Sequence, residues 1–325
     1  MDAWRVEANG PPESALSRQP VAVPGPGRGQ ALVDVRAAGL NFSDLLMIRG
    51  SYQIRPPLPF TPGQEVAGVV RQTGPDCPLA VGERVVSKVL WGGFAPLAIV
   101  ESGMAIRIPE GLSDQDALVL PVIAVTAWIA LHERAHLQQG DTLLVHAGAG
   151  ALGLATIRIA AATGARVLAT VGSPDKADVC RAAGADTVID YREATWDEAV
   201  LDATAGAGVD VVMDSVGGTV TDRSIRCLAP AGRLLIAGFS SGEIPSIRAN
   251  RLLLRNISAI GVYWSHGRDD ALVSRALAAL LDGWQRGQRV LRSDSVYPFE
   301  RLPDALADLA GRRTVGKCAL ARQHH

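Results

Sequence analysis

One stretch, TLLVHAGAGALGLATIRIAAATGARVLATVGSPDK, constrains the fold more than any other. A buried-strand pattern from Thr142 to Ala147 runs into Gly148, Gly150 and Gly153, a literal GxGxxG, and then into an amphipathic helical pattern. Each glycine answers a physical need: a tight turn, close approach of the backbone to a pyrophosphate, and close packing of helix on strand. The N-terminus of the helix adds N–H groups and a partial positive charge suited to phosphate. Alone, the motif is weak, because glycine-rich turns are common; between a strand and a helix it becomes specific. The surrounding pattern provides that setting. Compact apolar runs recur at TLLVHA, ARVLATV, DTVIDY, VDVVMDSV, GRLLIAGF and ISAIGVYW, mostly with helical stretches between them, which predicts an α/β fold with a doubly wound, six-stranded parallel sheet.

The chain upstream reads differently. Of the 19 prolines, 14 fall at or before Pro121, between short apolar runs such as ALVDVRA, EVAGVV, ERVVSKV and APLAIV. That punctuation predicts short antiparallel strands in a β-rich domain. With 325 residues, at a typical ~100 to 200 per domain, two domains are expected. Beyond Gly261 a long helix, ALVSRALAALLDGW, and a closing run, KCALA, are too short for a third domain and are expected to pack back on one of the two.

Composition removes several function classes. A net charge of -1 leaves no basic footprint for nucleic acid. Cys77, Cys180, Cys227 and Cys318 are scattered, without a CxxC pair, so neither a structural zinc cluster nor a disulfide framework is expected. The segment MDAWRVEANG lacks the pattern of a signal peptide. The longest apolar run, Ala117 to Leu131, is interrupted by Pro121, falls short of the ~20 residues of a bilayer span and reads as a buried element. The expectation is a cytoplasmic enzyme with reduced thiols and no membrane partner.

The end of the second Rossmann strand points to the cofactor. Where an NAD site places Asp or Glu, this chain reads Thr170, Val171, Gly172, Ser173, with Lys176 shortly after. A small hydroxyl and an ammonium suit a 2′-phosphate, so NADPH is expected; Asp175, the awkward neighbour, is expected to face water in the first helical turn. Two metal readings arise. HERAH, residues 132–136, formally matches HExxH, but no third ligand follows at a suitable spacing, and two histidines on an exposed helix face are the plainer reading. A zinc alcohol dehydrogenase centre needs Cys/His ligands from the β-rich domain, which holds no histidine before His132 and only Cys77. No metal site is expected.

At this point nearly the whole chain resembles the medium-chain dehydrogenase/reductase superfamily, and within it the zinc-free NADPH:quinone oxidoreductases related to zeta-crystallin. GLNFSDLLMIRGSY, TPGQEVAGVV, HAGAGALG, TVGSPDK, GADTVIDYRE, VVMDSVGG, GRLLIAGFSSG and GRRTVGK carry the resemblance, and Gln64 in GQE stands where zinc-dependent relatives have histidine. The resemblance implies a GroES-like domain (residues 1–121 and 262–325), a Rossmann domain (122–261) and an active site in the cleft between them. It implies cofactor contacts at Asn41 and Asp44, Thr126, and the Gly148, Gly150, Gly153 loop with Ala151 and Leu152. It extends them to Gly172, Ser173, Lys176, Tyr191 and Arg312 at the 2′-phosphate, then Ser215, Gly238, Phe239 and Ser240. Asn41 and Tyr52 match polar groups facing substrate, with Thr126 positioning nicotinamide or substrate; a second tyrosine of some relatives is Leu46 here. Tyr52 also reads as a loop cap, Thr126 as a core helix residue, and Arg312 with Arg313 as a surface pair. The resemblance further implies a homodimer paired through the last Rossmann strand, Ile257 to Tyr263.

The expected reaction is hydride transfer to a quinone, with proximity and a polar group aimed at the oxygen that gains charge. An enoyl-thioester or enone reductase on the same scaffold is the nearest alternative. An RNA-binding or structural role and a metalloprotease are weaker ones. One oddity is compositional: of 32 basic residues only Lys88, Lys176 and Lys317 are lysines. Lys176 has a proposed phosphate, whereas Lys88 and Lys317 have no role readable from sequence.

Overall fold

The computed structural model describes residues 1–322. Seven strands precede residue 122: β1 (Asp2–Val6), β2 (Leu16–Pro20), β3 (Gln30–Leu40), β4 (Glu65–Thr73), β5 (Arg84–Lys88), β6 (Leu97–Glu101) and β7 (Ala105–Arg107). Six follow in the middle of the chain: β8 (Thr142–Val145), β9 (Arg166–Val171), β10 (Thr187–Asp190), β11 (Val209–Asp214), β12 (Leu228–Ile236) and β13 (Ser258–Gly261). The last two are β14 (Ser295–Pro298) and β15 (Cys318–Ala321). The chain forms two compact units, one of residues 1–122 with the chain from Leu291 onward, the other of residues 123–290.

The second unit holds the expected sheet. Its strands run in the order β10-β9-β8-β11-β12-β13, all neighbours parallel. Parallel strands with helices on both faces are buried on both sides, which is why they read as unbroken Val/Leu/Ile runs instead of alternating ones. One side-chain row explains the cohesion of one face. Leu144, Leu168 and Val212 align across β8, β9 and β11, and Leu234 aligns with Val212 on β12. All lie in a single buried cluster with Trp196, Val200 and Ile225 from the helices Trp196–Ala203 and Thr219–Cys227. The strand order reverses between β8 and β11, and the crevice at the carboxyl ends beside such a reversal is where open α/β sheets take their ligands.

The first unit is built on a seven-stranded sheet, β14-β15-β3-β4-β5-β7, with β6 added on β3. All pairings are antiparallel except β14 with β15. Its core includes Val33, Val35, Leu45, Ile48, Phe60, Val66, Phe94, Leu302 and Leu306. β15, the KCALA run, closes this sheet against the end of β3.

Two expectations change. The segment 262–290 stays with the second unit, and the chain rejoins the first only from Leu291. The reason is the helix Asp270–Gln285, which buries Val273, Ala276 and Leu280, packs on the segment 125–134 and ties Arg275 to Glu133 at 3.0 Å. The apolar run around Pro121 also belongs to a longer helical stretch than it suggested. Asp114–Arg134 spans 21 residues and contains an 18-residue window of mean hydropathy 1.5, long and apolar enough by composition to cross a bilayer. Most of that apolar window is buried inside the protein, as in a core helix. Pro121 lies within a turn widened to π-helical geometry, Leu120–Ala124, and a second such turn follows at Ile129–Arg134.

Candidate active site

The glycine loop follows β8. Ala147 turns into the left-handed region at φ 50° and Gly150 caps the helix Ala151–Thr163 in an extended conformation. Gly153 shows why the motif is needed: a Cβ there would lie 2.3 Å from the Ala147 carbonyl oxygen and 2.6 Å from that of Gly148. At Gly148 a Cβ would meet the Ala169 methyl at 2.9 Å. The helix is thus laid directly on the strand end, and its first turn, at Ala151 and Leu152, presents amides with no intrahelical acceptor.

His146 braces this loop from below. Ser224 gives its hydroxyl hydrogen to the Val220 carbonyl at 2.7 Å, so Nε2 of His146 must donate to Ser224 Oγ, 2.7 Å away. Nδ1 is then left to accept from the Thr170 hydroxyl at 2.9 Å. Burial holds this imidazole well below its ordinary value, at about 4, so it is neutral. Burial also pushes the Cys180 and Cys227 thiols up to about 12, which makes them inert packing groups.

The ends of β9 and β10 carry four of the five residues expected around a 2′-phosphate, Gly172, Ser173, Lys176 and Tyr191. The Tyr191 ring lies over Gly172, where a Cβ would come within 2.7 Å of its hydroxyl. Ser173 is the N-cap of the helix Pro174–Ala183 yet its hydroxyl makes no cap bond, and Lys176 is half-buried in the first turn. Asp175 is exposed in that turn, as expected. The ends of β11 and β12 are stitched by Ser240 N–H to the Ser215 carbonyl at 3.0 Å, with Gly238 and the exposed Phe239 beside them. Asp214 stabilises this turn, accepting from the amides of Val216 and Gly217 and from the Thr221 hydroxyl. Thr126 Oγ1 accepts from the indole N–H of Trp264 at 2.9 Å, a partner that sequence reasoning missed because Trp264 ended an apolar run read only as a strand.

Asn41, Asp44, Tyr52 and Arg312 belong to the first unit. Asn41 caps the helix Phe42–Ile48, and its backbone N–H donates to Asp44 Oδ2 at 2.8 Å. Burial raises Asp44 to about 7, assisted by the neighbouring Glu65 carboxylate; the Asn41 amide, the Lys317 ammonium and the Gln64 backbone oppose that rise. Tyr52 follows the same helix, its backbone N–H on the Leu46 carbonyl at 3.1 Å and its ring against the first unit's core. Arg312 is exposed at φ 55° after the helix Leu302–Ala310. The Ser43 hydroxyl donates to the side-chain oxygen of buried Gln64.

HERAH does not form the helix face that was expected. His136 turns to φ 50° with its ring on the His132 carbonyl, the His132 ring lies tilted against Trp128 with centroids 5.1 Å apart, and Glu133 is taken by Arg275. Among the described residues no three His, Cys, Asp or Glu side chains cluster as metal ligands.

A six-stranded dinucleotide-type sheet in one unit and a GroES-like sheet in the other, with a glycine loop at the reversal of strand order, make the architecture of a nucleotide-dependent dehydrogenase or reductase. The family comparisons agree: residues 27–110 match the alcohol dehydrogenase GroES-like domain and residues 151–280 the zinc-binding dehydrogenase family. Quinone oxidoreductase-like protein 2 of Mus musculus is 39% identical over 310 residues, covering 94% of this chain and 89% of its own. The quinone oxidoreductase of Thermus thermophilus, solved alone and with NADPH, shares 35% identity at a TM-score of 0.83 over 99% of this chain and 100% of that one. The CurK enoyl reductase shares 25% identity at a TM-score of 0.86, covering 99% of each chain. The chain belongs to the zinc-free quinone oxidoreductase family of the medium-chain dehydrogenase/reductases.

The two perturbed buried groups have opposite consequences for stability. His146 is depressed from 6.5 to about 4, so its contribution is complete above pH 6.5 and is lost as the pH falls towards 4. Asp44 is raised from 3.8 to about 7, so its contribution is complete below 3.8 and is lost as the pH rises through 7. Urea unfolding between pH 4 and 7 is expected to show a His146→Asn deficit that widens by about 3 kcal/mol as the pH rises, and an Asp44→Asn deficit that narrows. Parallel pH profiles for wild type and both variants would contradict this.

Proposed function

We propose that this chain is an NADPH-dependent, zinc-independent oxidoreductase that passes hydride to a quinone. The supporting observation is the pairing of a backbone cradle that no Cβ can enter at Gly153 with a strand end that offers Gly172, Ser173 and Lys176 in place of a carboxylate. When bound, NADPH supplies the hydride. Gly148, Gly150 and Gly153, with the first-turn amides of Ala151 and Leu152, would hold its pyrophosphate. Ser173, Lys176 and Tyr191 would hold the 2′-phosphate, and Ser215, Gly238, Phe239 and Ser240 the strand-end portion. Asp44 acts through Asn41, whose backbone amide it fixes.

Reduction of a quinone to a hydroquinone takes one hydride and one proton, the proton arriving from water or a hydroxyl. The protein's part is to stabilise the oxygen that gains charge. Asn41 donates an amide hydrogen to that oxygen and Tyr52 its phenolic hydrogen. Trp264 occupies one lone pair of Thr126, which leaves the threonine's own hydrogen to serve as a positioning donor. Zinc independence rests on the donor set: Gln64 replaces the histidine, its oxygen already accepts from Ser43, and Cys77 is the sole thiol in that part of the chain.

A second reading, reduction of an enoyl thioester or enone, is favoured by the similarity to CurK and by the apolar Leu46 beside Tyr52. NADPH oxidation assayed with a p-quinone, an enone and an acyl-CoA separates them. With the quinone, Asn41→Ala and Tyr52→Phe are each expected to lower kcat/KM by on the order of 10- to 100-fold. Unchanged values in both would remove these roles. Lys176→Ala is expected to weaken NADPH by a similar factor and to leave NADH nearly unchanged; equal losses would refute the phosphate assignment.

The reading includes a reducing, cytoplasmic setting, supported by four free cysteines among the described residues. It also includes a homodimer paired along β13, an edge strand of the sheet, with Leu253 and Leu254 on the helix before it and Tyr263 just after it leaving apolar surface exposed. Light scattering at micromolar concentration should give twice the chain mass, and a monomer would count against the pairing.

A further inference from the structure

Lys317 has no part in the reaction as described above, yet it is among the most deeply buried side chains in the protein, at 1% exposure. Strand register explains how it arrives there. β15 pairs antiparallel with β3 through Cys318 and Leu40, so the preceding residue, Lys317, comes level with Asn41 just beyond the end of β3. On the other side of β3, Gly39 pairs with Glu65 of β4. Lys317 and Glu65 therefore flank the end of the same strand. Their side chains meet in the volume left by the missing side chain of Gly39, where a Cβ would lie 2.4 Å from Glu65 Oε2 and 3.0 Å from Lys317 Nζ.

The ammonium has three hydrogens and three acceptors: a Glu65 carboxylate oxygen, Asn41 Oδ1 at 2.9 Å and the Leu40 carbonyl at 3.4 Å. A lysine nitrogen can only donate, so the atom of Asn41 that faces it must be the carboxamide oxygen. The Asn41 amide is thereby fixed in one of its two orientations, with its NH2 turned away from the ion pair. A buried ion pair is rarely the most stabilising way to fill such a volume, so stability alone does not account for this one. In a chain that otherwise uses arginine, a compact ammonium is also the one cation able to serve three acceptors converging on a point.

We propose that Lys317, held by Glu65, is a positioning residue that orients and polarises the Asn41 carboxamide so that its NH2 faces the substrate oxygen as a donor. The proposal rests on the assignment of Asn41 as that donor. With the amide flipped, its carbonyl oxygen would face the developing negative charge and oppose the reaction.

Two experiments test it. In the cofactor-free wild-type protein, the Asn41 side-chain NH2 signal, assigned by its loss in Asn41→Ala, is expected to be as ordered as the backbone in ¹⁵N relaxation. A freely moving NH2 would overturn the proposal without any recourse to variants at the ion pair. The paired variant Lys317→Met with Glu65→Gln removes both charges together, so neither is left buried alone. It is expected to mobilise that NH2 and to lower kcat/KM for the quinone by on the order of 100-fold, with NADPH affinity changed far less. Added to Asn41→Ala, the same pair should cost no further activity. If Asn41→Ala itself is fully active, the donor assignment fails. If Asn41→Ala is impaired while the folded paired variant keeps wild-type kcat/KM, the positioning role of Lys317 fails and the donor assignment stands.

Discussion

The absence of a side chain at Gly153 is the constraint on which the nucleotide end of this protein depends. Because no Cβ intervenes, the helix Ala151–Thr163 can lie against the carbonyls of Ala147 and Gly148, and its first turn reaches the carboxyl end of β8. Everything beneath the loop is fitted to that approach. Gly148 leaves room for Ala169, and His146 fills the space under the turn with a neutral ring whose nitrogens are both spent on hydroxyls. A larger residue at Gly153 would lift the helix and take its amides away from the place where a phosphate would be held.

A comparable device recurs in the other unit. Gly39, in the middle of a three-strand junction, leaves the volume in which Lys317 and Glu65 meet. In the first case the missing side chain brings backbone to backbone; in the second it lets two charges pass across a strand. In the function proposed above both omissions serve a donor: the first-turn amides in one unit and the Asn41 carboxamide in the other.

Much of this was legible in the sequence, for reasons that differ by residue. Parallel strands buried on both faces announce themselves as compact apolar runs, so all six strands of the Rossmann sheet were visible. The nucleotide loop was visible because its glycines are sequential. The roles of Lys317 and Glu65 were not, because they arise from strand register over more than 250 positions of chain, and only the scarcity of lysine hinted at them. The bond from Trp264 to Thr126 is hidden in the same way. The segment 262–290 reads as part of the wrong unit because a helix's amphipathic face shows that it packs but not on what. HERAH misleads in the opposite direction: its spacing assumes a regular helix, and the π-helical turn and the left-handed His136 break that periodicity.

The burial of Lys317 also affects how the surface of this protein responds to chemistry. With three lysines in the whole chain and one sealed beneath β3, amine-directed reagents are left with two side chains, Lys88 and Lys176, each half-buried. One of these stands at the end of β9, where a phosphate would shield it. Among the lysines, mild acylation is therefore close to a two-site experiment, with Lys88 as the internal standard and Lys176 as the reporter of what occupies the strand end beside it.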